Sequence, residues 1–184
     1  MVHKKVAAAL SGGAVLVLAV SGCSSNDEEL NAWAKTVCDA VRPQTTKIGQ
    51  ANTSIQRVTS DNSKPEEVQR TDSKAFKDMS DAYRAMGAAV DKAGPPPVDG
   101  GEKKQRDAVK ELKDTARSYA GLKEQVDSLD TKDQSKFADG LDEVATQLGK
   151  VVKGGDNALK KLEEGDVGKA MGKQESCKSA KARR

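Results

Sequence analysis

Histidine is almost missing from this chain: the one imidazole is His3, at the extreme amino terminus. Everything downstream therefore lacks a Ser–His or Cys–His nucleophile pair, a proton shuttle near neutrality, and an ordinary zinc or copper site. Aromatic side chains make up only 3%, so a core has to be assembled from Ala, Val and Leu. A surplus of one charge is lacking too. Setting Lys4 and Lys5 aside from the 31 Lys and Arg leaves 29 against 28 Asp and Glu. The isoelectric point of 8.7 thus overstates the basicity of the remainder. A nucleic-acid binder carries a basic surplus against phosphate, so no nucleic-acid partner is expected. Alternation with period two is nearly absent, which argues against strands. Carboxylates do come in pairs, Asp142 with Glu143 and Glu163 with Glu164. Neighbouring helical residues point apart, so these read as solvated helix surface. No catalytic, cofactor-binding or metal-binding residue is assigned, and no enzyme is expected.

What is present begins with the amino terminus. Lys4 and Lys5 precede an apolar run over positions 6–20, broken only by Ser11, Gly12 and Gly13. Its 15 positions fall short of the roughly 20 apolar residues that cross a bilayer. Behind it, Val20-Ser21-Gly22-Cys23 reads as a bacterial lipobox. Residues 1–22 are expected to be a lipoprotein signal peptide, cut before Cys23, whose sulfur receives diacylglycerol. An uncleaved anchor and cleavage by an ordinary signal peptidase are the weaker readings. Each buried methylene adds about 0.8 kcal/mol of membrane affinity, and more than one chain, palmitate for instance, makes the anchoring stable. The expected location is the extracytoplasmic face of the cell membrane, lipid-anchored. Residues 23–28 look like a flexible tether, 29–177 a single domain, and 178–184 a basic tail with Lys178, Lys181, Arg183 and Arg184. The tail is either frayed in solvent or in touch with anionic lipid or cell-wall polymer.

With Cys23 lipidated, Cys38 and Cys177 remain, one near each end of an exported chain. A structural disulfide is the expectation. Two free thiols or a redox-active pair are the alternatives, but neither CxxC spacing nor a nearby His supports them. Closing so long a loop stabilises by up to about 5 kcal/mol in the chain-entropy model.

Helical periodicity runs through the rest. Leu30, Trp33, Val37 and Val41 form a first stripe, with Ala34 and Cys38 beside it, and Pro43 predicts a kink or break at Arg42. Ile48, Ile55 and Val58 continue it thinly, and 59–64 reads as a turn. Pro65 opens a second helix with Val68, Ala75, Met79, Ala82, Met86, Ala89 and Ala93 in step, closed by Gly94 and three prolines. A third carries Val109, Leu112, Ala116, Tyr119, Leu122, Val126 and Leu129. Asp130 or Thr131 is the expected cap of a fourth, with Phe137, Leu141, Val144, Leu148, Val151 and Val152, ended by Gly154 and Gly155. A last helix from Asp156 is interrupted at Gly165 and Gly168. The fold expected is all-α: an up-and-down bundle of four main helices, the first three about 40 Å long at roughly 1.5 Å per residue, plus a short broken carboxy-terminal helix. Four long helices bring Cys177 back toward Cys38. Gly87, Gly121, Gly140 and Gly149 either permit close helix contact or leave the bundle mobile.

The lipobox ending at Cys23, the Trp33-Ala34 and Val37-Cys38 pattern and the near-terminal Glu175-Ser176-Cys177 together resemble the actinobacterial small secreted lipoproteins of unknown function. The resemblance implies an exported helical domain and carries neither activity nor site. Two functions are set against each other. One is a non-enzymatic interaction module in the cell envelope, its charged helix faces contacting an envelope protein or a cell-wall component. The other is a carrier or sensor of a small apolar ligand held between helices, with Met79, Tyr83 and Met86 as lining. Trp33 is either core or an anchor for a partner, and its step with Leu30 and Val37 favours core.

Overall fold

A computed structural model describes residues 22–60 and 63–181, without the side chains of 22–25, 60, 154–159 and 179–181. Most of the signal segment, the Cys23 sulfur and the last three residues of the basic tail lie outside them. Six helices and no strands occur among the described residues: α1 (Gly22–Ser60), α2 (Pro65–Ala93), α3 (Gly101–Asp127), α4 (Gln134–Leu162), α5 (Asp166–Lys173) and α6 (Glu175–Lys181). The four long ones alternate up and down, each packed on its predecessor, and the two short ones fold back onto α1.

Helix α1 departs from expectation at both ends of its stripe. It starts at Gly22, so the 23–28 segment expected as a flexible tether is helical. No glycine or proline interrupts the chain between Gly22 and Pro43. Nor does Pro43 break it: the helix runs 39 residues, about 58 Å at 1.5 Å per residue. Pro43 has no N–H to donate to the Asp39 carbonyl, and beyond it the hydroxyls of Thr45 and Thr46 both donate to the Arg42 carbonyl at 2.9 and 3.2 Å. The stripe of Leu30, Trp33, Val37 and Val41 is buried on one side of Pro43, and Ala51 and Val58 on the other. Packing on both sides outweighs the local penalty of about 3 kcal/mol.

The second helix follows its sequence closely, from Pro65 to the positive-φ Gly94. Gly101 starts α3 hard against the proline linker: a Cβ there would sit 2.0 Å from the Pro96 carbonyl oxygen. The cap of α4 is Asp133 rather than Asp130 or Thr131. Its Oδ1 accepts from the Lys136 N–H at 3.1 Å and its carbonyl from the Phe137 N–H, while Asp130 closes a tighter turn onto Lys132. Gly154 and Gly155 do not end α4, which continues to Leu162, a side chain only 1% exposed. Gly165, at φ +73°, caps the start of α5 three residues later. Gly168 lies inside α5, and the break falls instead at Gln174, whose backbone is extended. The folded unit therefore reaches past residue 177, and Lys178, expected in a tail, sits in α6 paired with Glu175.

Parity of the four long helices closes the disulfide. Cys38 of α1 and Cys177 of α6 are bonded, their Cα atoms 5.1 Å apart across 139 residues. The core is built on α1, α2 and α3, with Met79, Met86, Leu112 and Leu122 sealed inside it. Tyr83 stacks on Tyr119 with ring centres 5.4 Å apart, and Ser80 donates to the Ala116 carbonyl across the α2–α3 contact. Trp33 is core: 7% exposed, its Nε1–H donating to the Gly94 carbonyl at 2.9 Å. Of the four helix glycines singled out, Gly87 and Gly140 pack against Leu112 and Leu129. Gly121 and Gly149 face open space.

Candidate functional site

The fourth helix packs along α3 and stands off from α1. An apolar cleft fills the gap, with a volume of about 410 Å³. Its α1 wall is Ile55, Val58 and Thr59, its α4 wall Leu141, Val144, Ala145 and Leu148, and its floor the α2 residues Val68, Asp72 and Phe76. The thin spacing of apolar residues in the second half of α1 leaves this seam open. In the first half, the denser stripe around Trp33 is covered.

Asp72 is the exception on this surface. It sits one helical turn from both Val68 and Phe76, facing inward, and is 6% exposed. Its Oδ1 is buried and accepts no hydrogen bond. Burial pushes its carboxyl up to about 6, because the charged form has lost water and gained nothing in return. Among the described residues no Lys or Arg lines the cleft. A lone carboxylate among aliphatic and aromatic walls can accept a hydrogen bond or serve as a counter-ion. Among the described residues no imidazole lines the cleft beside it.

The residues proposed from sequence as lining fall elsewhere. Met79 and Met86 are 0% and 1% exposed within the closed core, and Tyr83 is engaged with Tyr119. None of them borders the cleft. Sequence reading passed over Asp72 because a charged residue drops out of an apolar pattern. The signal was there, an acid set at i+4 from Val68 and i−4 from Phe76.

Two hollows larger than the cleft are more polar. The larger, about 790 Å³, lies where the start of α1 meets residues 97–99 and 164–167, and gathers Asp27, Asp99, Glu164 and Asp166. Among the described residues no group of three or more His, Cys, Asp or Glu is placed to hold a metal ion. The other runs between α1 and α2 past Lys47, Arg70 and Lys74, and Lys74 is paired with Asp78. The helix faces are largely self-neutralising in this way. Lys35–Asp39, Lys77–Asp81, Lys103–Asp107 and Lys110–Asp114 all join positions four apart in one helix. Hydrogen bonds from the partner lysines hold the Asp81, Asp107 and Asp114 carboxyls below the ordinary carboxylate range.

No family model, curated protein or solved structure matches this chain. Among the described residues no helix is long and apolar enough to cross a membrane.

Proposed function

We propose that the chain is an exported lipoprotein, held through acyl chains on Cys23 at the extracytoplasmic face of the cell membrane, whose bundle binds a small apolar molecule between α1 and α4. The binding is non-enzymatic and needs no cofactor. One observation carries the ligand half of this reading: the 410 Å³ cleft lies within the size range of small-molecule sites and is more apolar in its lining than the two larger hollows. The lipobox carries the other half. A module that grips an envelope protein or cell-wall component by its charged faces has less behind it, since those charges are engaged within their own helices.

Native mass spectrometry of protein taken from its own membrane tests the cleft. Wild type is expected to carry a small molecule that Ala145→Trp, a substitution at an exposed cleft position, does not. A clean mass for both would count against ligand carriage. Fractionation tests the anchor: Cys23→Ser is expected to move the protein from the membrane to the soluble fraction, and an unchanged distribution would refute acylation there.

A further inference from the structure

We propose that the cleft selects a cationic amphiphile, an apolar chain or ring bearing one protonated amine, with Asp72 as its counter-ion. This rests on the cleft being a ligand site. The argument starts from what surrounds the carboxylate. From α1 it faces Ile55, Val58 and Thr59, and from α4 Leu141, Val144, Ala145 and Leu148, none of which ionises. Ser63, before α2, and Val68 and Phe76, within it, complete the surroundings, again without a charge. The hydroxyl of Thr59 is committed to the Ile55 carbonyl at 2.9 Å. Among the described residues, nothing lining the cleft neutralises Asp72.

A buried acceptor without a partner is rare in folded proteins and calls for an explanation at each place it occurs. Here the residue that carries it lines a cavity, and ligand chemistry can be sorted by what it does for that oxygen. A pure hydrocarbon fills the walls and leaves the acceptor bare. An acid or phosphate brings a second negative charge against the first. An alcohol donates one hydrogen bond and leaves the charge uncompensated. A protonated amine donates hydrogen bonds and cancels the charge in a water-poor setting, where such charge-assisted bonds are strongest. The apolar body then lies against Phe76, Val144 and Leu148. Amine binding draws the carboxyl back toward its ionised form, so affinity for the amine falls as acid protonates Asp72.

The test uses the full chain in phosphatidylcholine vesicles, with thermal unfolding followed by fluorescence of Trp33, the chain's only tryptophan. Phenylbutylamine, phenylbutanol and phenylbutyrate share one apolar body and differ in the head. The amine is expected to raise the midpoint at concentrations about ten- to a hundredfold below those the alcohol needs, the acid having no effect. Asp72→Asn should bring the amine to the level of the alcohol while the alcohol is unaffected, and Asp72→Glu should keep the preference. Lowering the pH from about 7.5 to about 5 should weaken the amine on wild type and not on Asp72→Asn. Equal action of amine and alcohol on wild type, both abolished by Ala145→Trp, would overturn the charge selection and leave the cleft standing as a ligand site. An amine preference that survives Asp72→Asn would overturn the role given to Asp72. Silence from all three probes would remove the ligand site and this inference with it.

Discussion

At Asp72 the cost of a buried charge can be worked through with its sign. The carboxyl titrates near 6 in the folded chain and near 3.8 when unfolded, so between those values the folded state holds the extra proton. Stability therefore falls as pH rises through that window, and the full deficit applies above it. Two units at about 1.4 kcal/mol each put the deficit near 2 to 3 kcal/mol. Asp72→Asn is accordingly expected to be more stable than wild type by about that amount near pH 8, the gap narrowing toward pH 4, as read by urea unfolding at the two values. Glycines give opposite outcomes according to what stands beside them. Gly121→Ala and Gly149→Ala add a methyl where nothing lies within 4 Å, and each should stabilise by about 1 kcal/mol. Gly101→Ala drives the methyl into the Pro96 carbonyl and should destabilise by about 1 to 3 kcal/mol in the same melts. The burial of Trp33 was legible from its step with Leu30 and Val37. The burial of Asp72 was not, since periodicity weighs apolar residues and is silent on an acid among them.

At the scale of the element, local rules placed starts and stops well where they agreed with packing. Pro65, Gly94 and the proline linker bound α2 as expected. Where rules and packing disagreed, packing prevailed: α1 crosses Pro43, and α4 crosses Gly154 and Gly155 to bury Leu162. Helix α4 is held on one long side by α3 and borders the cleft on the other, with Lys161 bridging to Glu111 at 2.8 Å near its end. Fewer apolar contacts mean a lower local opening free energy. Hydrogen exchange is therefore expected to be faster along α4 than along α2 and α3. Equal protection would show that the cleft does not weaken the seam. The disulfide acts on the other end of the chain, tying α6 to α1. Replacing Cys38 and Cys177 with Ala should lower stability by up to about 5 kcal/mol in the loop-entropy account, with α5 and α6 the first to exchange.

For the molecule as a whole, all-α class, four long helices and a Cys38–Cys177 link were readable because each depends on composition, spacing or the even number of long helices. The cleft was not readable. It depends on the distance between α1 and α4, which are far apart in sequence, and no stripe of one helix reports how far away another comes to rest. Electrostatics at this scale are muted, since the Lys–Asp pairs hold their charges within single helices. Their depressed carboxyls favour folding above the unfolded carboxylate pKa and lose that contribution as strong acid protonates them, opposite in sense to Asp72.

The unbroken run of α1 through Pro43 has a mechanical corollary. Thirty-two residues separate Cys23 from Ile55, about 48 Å of rigid rod at 1.5 Å per residue. On the acyl anchor proposed for Cys23, such a boom would carry the cleft on an arc of that radius, clear of the lipid headgroups. A ligand released from the proposed site would enter water first, and exchange with the bilayer would require the boom to lie down.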